Sequence, residues 1–196
     1  MMTLLRTIRT DSEGVTVVEF GLLAPVLLLT LLGLFDMGHM MYTKSLMLGA
    51  IQKAARDSSI EGAYSREAAL DARVTAVVRD IAPDAVLTFQ RRSYTNFSDV
   101  GQPEDFTDAD GNGTCNDGEP YEDANGNGTW DATGSGSEGF GGARDAVLYT
   151  VTVSYERYFP VWNLMGANDR ATIQASTVLR NQPYDLQQVP VVEACA

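Results

Sequence analysis

From Phe20 to Phe35 the chain runs sixteen residues without a charged side chain, and a segment that apolar has to be buried in protein or in lipid. The run is slightly short for a membrane span, but apolar character resumes after Asp36 in MGHMMY. Taken as one helix, Val15 to Tyr42 is about 42 Å long, more than the roughly 30 Å of bilayer hydrocarbon. It can cross a membrane and still project beyond it. Arg6 and Arg9 precede the run, whereas Lys44, Lys53 and Arg56 lie well past it, which leans weakly toward a cytoplasmic N-terminus. The expected placement is therefore single-pass in the cytoplasmic (inner) membrane, with the C-terminal domain extracytoplasmic.

Glu19 stands at the head of the apolar run, and a charged, unpaired carboxylate at depth costs on the order of a few kcal/mol. Three readings compete. A secretory signal needs a short apolar core and a small-residue cleavage site, which FDMGHMMYTK does not offer. A plain signal anchor fits the length and leaves Glu19 unexplained. In the third, Gly14 is a cleavage point, so that Val15 becomes the new N-terminus and Glu19 the fifth residue after the cut. Pro25 falls inside the helix, where neighbours can re-satisfy the carbonyl it orphans.

Gly14 followed by VTVVEF and an apolar helix resembles the processing site of type IV prepilins. The longer stretch VEFGLLAPVLLLTLLGLFDMGHMMYTKSLMLGAIQKAARDSS, Val18 to Ser59, is similar to TadE-like minor pilins or pseudopilins of tight-adherence (Flp, type IVc) pilus systems. TIQASTVLRNQPY, Thr172 to Tyr184, is similar too. The leader departs from the pattern by ending TDSEG, acidic beside Gly14. The resemblance implies a structural subunit for pilus assembly, cut by a prepilin peptidase between Gly14 and Val15. Its implied partners are other pilins and pseudopilins, the inner-membrane assembly platform and membrane lipid, with incorporation into a surface pilus as one outcome. It also gives Glu19 a reason: in a low-dielectric filament core, a carboxylate beside a neighbouring subunit's α-ammonium is offset by attraction at short range. Glu19 is then a docking group; the plainer alternative has it protonated or snorkelling to the interface.

Past the span, Leu46, Ala50, Ile51, Ala54 and Ala55 form a helical stripe, with Lys53, Arg56 and Asp57 off it. A second helix is expected from an N-cap at Ser65 to a stop at Pro83, burying Leu70, Val74, Val77, Val78 and Ile81. AVLYTVTVSYERYF alternates with period two, placing Val147, Tyr149, Val151, Val153, Tyr155 and Phe159 on one face. Ala85 to Tyr94 and Ala171 to Leu179 are shorter strand candidates. The expected fold is α+β: a long membrane helix extending into a small domain with a second helix and an antiparallel sheet of about three strands. Its segments are a leader over 1–14, the span and extended helix over 15–60, helix and first strand over 61–98, an insert over 99–142, and the remaining strands over 143–196.

The formal net charge of -12 is concentrated in that insert, where residues 99–142 hold eleven acidic side chains, eleven glycines and no Lys or Arg. No basic stripe is present to displace counterions from phosphates, so nucleic acid is not an expected partner. Composition alone reads as disorder, but the oxygen spacing does not. Asp108, Asp110, Asn112, Gly113, Thr114, Asn116 and Glu119 match positions one, three, five, six, seven, nine and twelve of an EF-hand calcium loop. Fifteen residues on, Asp123, Asn125, Asn127, Gly128, Thr129 and Asp131 repeat the first nine positions, but Gly134 stands at position twelve, leaving Glu119 or Glu122 to complete the set. Without flanking helices, these resemble the DxDxNG calcium repeats of bacterial surface proteins. Oxygen-only ligands on flexible loops favour Ca2+ over Mg2+, and the competing reading is a solvated acidic turn. Tyr121 and Trp130 are candidates to pack over the loops.

Cys115 and Cys195, eighty residues apart, fit neither a zinc site nor a CxxC motif; they pair in an oxidising compartment or remain thiols in a reducing one. The single histidine, His39, ends the span. Ser-His and Cys-His nucleophile systems are thus missing from the rest of the chain, and the Glu122–Asp123 acid pair sits within the calcium-like repeat, so an enzyme is not expected. Beside the pilus subunit, the competing function is an unprocessed, membrane-anchored extracytoplasmic calcium-binding or adhesion protein.

Overall fold

The computed structural model describes residues 13–58, 67–132, 134, 136–159, 161–182 and 189–196. The leader through Ser12 and the expected N-cap Ser65 lie outside the described residues. The architecture is α+β. Helix α1 spans Glu13–Ser58 and continues through Pro25; α2 spans Glu67–Arg79. Strand β1 (Val86–Tyr94) is followed by β2 (Pro120–Asp123), β3 (Ser137–Glu138), β4 (Ala146–Glu156), a short helix α3 (Val161–Leu164), β5 (Arg170–Arg180) and β6 (Val191–Ala194).

These elements divide into two compact units. One holds the described part of Met1–Tyr42 together with Glu156–Ala171. Its helix is the segment long and apolar enough to cross a membrane, and its large apolar side chains, from Val15 through Tyr42, are largely exposed. The exception is Asp36, only 4% exposed. Its carboxylate is ion-paired with Arg157 and accepts a 2.7 Å hydrogen bond from Trp162 Nε1. The loop carrying Arg157 is closed at its base by Arg157 N–H donating to the Asp169 carbonyl.

The other unit comprises Thr43–Tyr155 and Thr172–Ala196. Its sheet runs β3-β1-β4-β5, with β1 antiparallel to β4 from Val86↔Ser154 to Tyr94↔Ala146 and β3 a short added edge. Period-two alternation puts Val147, Tyr149, Val151, Val153 and Tyr155 in the core, while Phe159 falls beyond the strand. Helix α2 contributes Leu70, Val74 and Val78; Val77 and Ile81 are only half-buried. On α1 the buried stripe is Thr43, Met47, Ile51, Ala54 and Ala55, with Leu46 and Ala50 at its margins, a small rotation from the expected face.

Arg91 of β1 is the charged centre of this unit. It is 8% exposed, pairs with Asp71 and Glu67 of α2, and lies over the rings of Tyr149 and Phe140. Burial and the hydrogen bond to Asp71 push the Tyr149 hydroxyl well above the usual phenol range. Removing one partner of a buried pair strands the other charge. Arg91→Ala is therefore expected to destabilise the protein by about 3–5 kcal/mol, measured by denaturant unfolding; a change within about 0.5 kcal/mol, typical of surface sites, would show the pair to be dispensable.

Candidate metal centre and processing segment

The acidic insert folds as two loops clamped by a second sheet. In the first, Asp108 accepts from the N–H groups of Gly111 (2.6 Å), Asn112 (3.1 Å) and Gly113 (2.9 Å). Asp110 accepts from Asn112 N–H, and Asn112 Oδ1 from Thr114 N–H. Gly111 and Gly113 hold φ of 75° and 74°, a conformation that disfavours any side chain. The second loop repeats this residue for residue: Asp123 accepts from Gly126 (2.7 Å), Asn127 (3.1 Å) and Gly128 (2.9 Å), Asn125 from Asn127, and Asn127 from Thr129.

The structure differs from the sequence expectation at position twelve. In the first loop Glu119 turns back to accept from the N–H groups of Ala109 (2.6 Å) and Asn116 (3.2 Å), positions two and nine. In the second loop the same two positions, Ala124 and Asp131, donate to Glu104 at 2.9 Å and 3.0 Å. Glu104 thus stands where Gly134 leaves a gap, entering from the N-terminal side. Glu119 belongs to the first loop, and Glu122 is exposed. Trp130 Nε1 donates to the Glu104 carbonyl and its ring meets Phe106 edge-on at 5.1 Å, so this aromatic packs against the segment that delivers Glu104.

The donor chemistry suits a hard cation. Asp108, Asp110 and Glu119 each bring a carboxylate oxygen within 4.8 Å of the others. Asn116 Oδ1, at position nine, is buried with no hydrogen-bond partner among the described residues. The Gly113 amide, chief among the donors around it, holds the Asp108 carboxyl below its ordinary range. Glu104 behaves oppositely: burial raises its pKa, the Asp131 and Asp123 carboxylates add to the rise, and amide bonds from Asp131 and Ala124 oppose it. Asp131 also accepts from the amides of Asn125 and Asn127.

The clamp is β2 paired antiparallel with β6, from Pro120↔Ala194 to Asp123↔Val191. Cys115 and Cys195 form a disulfide beside it, Cα atoms 5.6 Å apart. Cys195 N–H donates to the Glu119 carbonyl, and Tyr121, 2% exposed, donates its hydroxyl to Glu193. Strand β6 is hard to read from sequence: VVEA is a short apolar segment whose partner lies some seventy residues upstream.

At the other end of the chain, Gly14, Val15 and Glu19 occupy the first turns of α1, all exposed. Among the described residues nothing lies within 4 Å of where a Gly14 Cβ would be. Residues 14–56 match the family model described as TadE-like protein. No curated protein and no solved structure matches the chain. The match covers the helix from the glycine at its head, through Glu19 and the apolar run, to Arg56 in its last turn, and over this segment, less than half of the chain, the protein is similar to TadE-like proteins.

Proposed function

We propose that the chain is a minor pilin or pseudopilin subunit of a Tad/Flp pilus, cut after Gly14, docked through Glu19 and stabilised outside the membrane by calcium. The observation that carries this reading is the matched segment itself. It carries a glycine and, five residues on, a carboxylate at the head of a helix whose large apolar side chains from Val15 through Tyr42 are largely exposed. Such a helix finds cover in lipid and then in the helices of neighbouring subunits.

Calcium would be held in the first loop by Asp108, Asp110, Asn112, the Thr114 carbonyl, Asn116 and Glu119. In the second it would be held by Asp123, Asn125, Asn127, the Thr129 carbonyl, Asp131 and Glu104. A bound divalent cation would supply neutralisation of the carboxylate cluster, which has no basic residue of its own within 99–142.

The test is the intact mass of the membrane-extracted chain. Processing gives a chain beginning at Val15, N-methylated if the pilin likeness holds; the competing unprocessed calcium-binding or adhesion protein keeps its leader. Gly14→Leu is expected to abolish maturation, because a peptidase pocket shaped for a hydrogen excludes a larger side chain while α1 has room for one. A Gly14→Leu chain that still began at Val15 would remove the proposed cleavage rule. Glu19→Ala should leave cleavage and insertion intact and weaken co-isolation with partner pilins, since only a charge pair between subunits is lost; unchanged co-isolation would count against the docking role.

A further inference from the structure

Helix α1 carries a buried acid at one end of its apolar run, and the loop that satisfies that acid exposes apolar groups of its own. Phe20 to Phe35 rises about 24 Å as a helix, most of the roughly 30 Å of hydrocarbon. With that run in the bilayer, Asp36 falls at the hydrocarbon edge. There it is ion-paired with Arg157 and bonded to Trp162 Nε1, while the Arg157 guanidinium lies 4.9 Å from the Trp162 ring centroid. The same loop runs along the helix toward the apolar segment. Tyr158 meets His39 edge-on at 4.7 Å, and Phe159 meets Phe35, one turn deeper, at 6.4 Å. Phe35 is the last residue of the charge-free run, so Phe159 reaches hydrocarbon depth.

Beyond Phe159, α3 buries Val161 but leaves Leu164 74% exposed, Met165 just past it is 63% exposed, and Tyr158 is 54% exposed. Water is a costly cover for that cluster, whereas the boundary between headgroups and acyl chains suits it: aromatic rings with polar tips, an arginine with an apolar stem and unbranched apolar side chains gather there. We infer that residues 157–159 and 161–165 form an interfacial lipid anchor, with Leu164 and Met165 entering the leaflet beside α1 and the Asp36–Arg157–Trp162 cluster fixing their depth. This rests on the membrane anchoring of α1. The occupant is lipid because the loop is continuous in depth with the membrane helix that it grips.

The test uses the full chain in phosphatidylcholine vesicles whose acyl chains carry bromine either near the carbonyl end or near the methyl end. The chain has two tryptophans, so in W130F the emission reports Trp162 alone. It should be quenched, and more by the shallow bromine than by the deep one, whereas Trp130 in W162F should be unaffected by either. Leu164→Glu combined with Met165→Glu in the W130F chain should reduce the quenching. A chain lacking both native tryptophans and carrying Leu27→Trp reports the helix itself and should be quenched by the deep bromine. If Leu27→Trp is quenched and Trp162 is not, α1 is in the membrane and the loop is covered by something other than lipid, such as a neighbouring subunit, and the inference is overturned. If neither is quenched, the anchoring of α1 and the lipid anchor fall together.

Discussion

Glu104→Gln should abolish calcium binding at the second loop and leave the first untouched. Gln keeps the size of the side chain but leaves an acceptor for only one of the Ala124 and Asp131 amides, so the substitution removes the charge, the bidentate ligation and one of the two hydrogen bonds that close the loop. Loss of outer-shell partners alone lowers metal affinity about 10–100-fold, and loss of the bidentate carboxylate should cost at least that. Calorimetric titration of the detergent-solubilised chain should fall from two ions bound to one. Glu119→Gln should remove the other, and the double variant both. Extracellular sites of this kind bind at about 10⁻⁴–10⁻³ M, so millimolar calcium should contribute on the order of 1 kcal/mol per site. Limited proteolysis within 99–142 should accordingly be faster in chelator. Two ions bound at unchanged affinity by Glu104→Gln would remove Glu104 from the site, and identical cleavage with calcium and with chelator would return the insert to a metal-free acidic turn.

That the first loop reads from sequence and the end of the second does not follows from where the side chains that close them lie. Positions one to nine are local: Asp, Asn and Gly at fixed offsets determine which amides each carboxylate meets, and the two loops repeat the same bonds. Position twelve needs only a carboxylate that reaches the amides of positions two and nine, and the chain can deliver it from either side. Glu104 comes from nineteen residues before Asp123, and no spacing rule connects the two. Strand β6 was hidden for a similar reason, because pairing of VVEA with PYED is long-range and neither strand alternates strongly. Strands β1, β4 and β5 were legible since each carries a period-two face of its own. On α1 the burial of Met47 rather than Leu46 is a tertiary choice: helical periodicity fixes the spacing of a stripe, while packing fixes its rotation.

Asp36 belongs with what is hard to read. An acid within a membrane segment invites a functional account, but here its partners are Arg157 and Trp162, more than one hundred residues away in sequence. Both belong to a connection between two strands that otherwise looks like an ordinary loop.

Removing the Cys115–Cys195 disulfide should have the largest effect on the second unit after loss of Arg91. The bond joins residues separated by eighty positions, and closing a loop of that length stabilises by about 4 kcal/mol in the chain-entropy model. The clamp has little else to hold it: Val191 and Val192 of β6 are 62% and 64% exposed, so the strand contributes backbone hydrogen bonds and little apolar burial. In a Cys115→Ser, Cys195→Ser chain, β6 should therefore detach before the four-stranded sheet melts. Hydrogen exchange should show this as early loss of protection at the amides of Gly118 and Cys195, which bond across the disulfide to the Cys195 and Glu119 carbonyls. Because Glu119 supplies both that carbonyl and the carboxylate at position twelve, calcium affinity at the first loop should fall with it. The second loop, closed by Glu104, should hold its ion. Equal weakening of both loops would show that the clamp supports the insert as one body, and unchanged protection at Gly118 and Cys195 would show that backbone pairing alone keeps β6 in place.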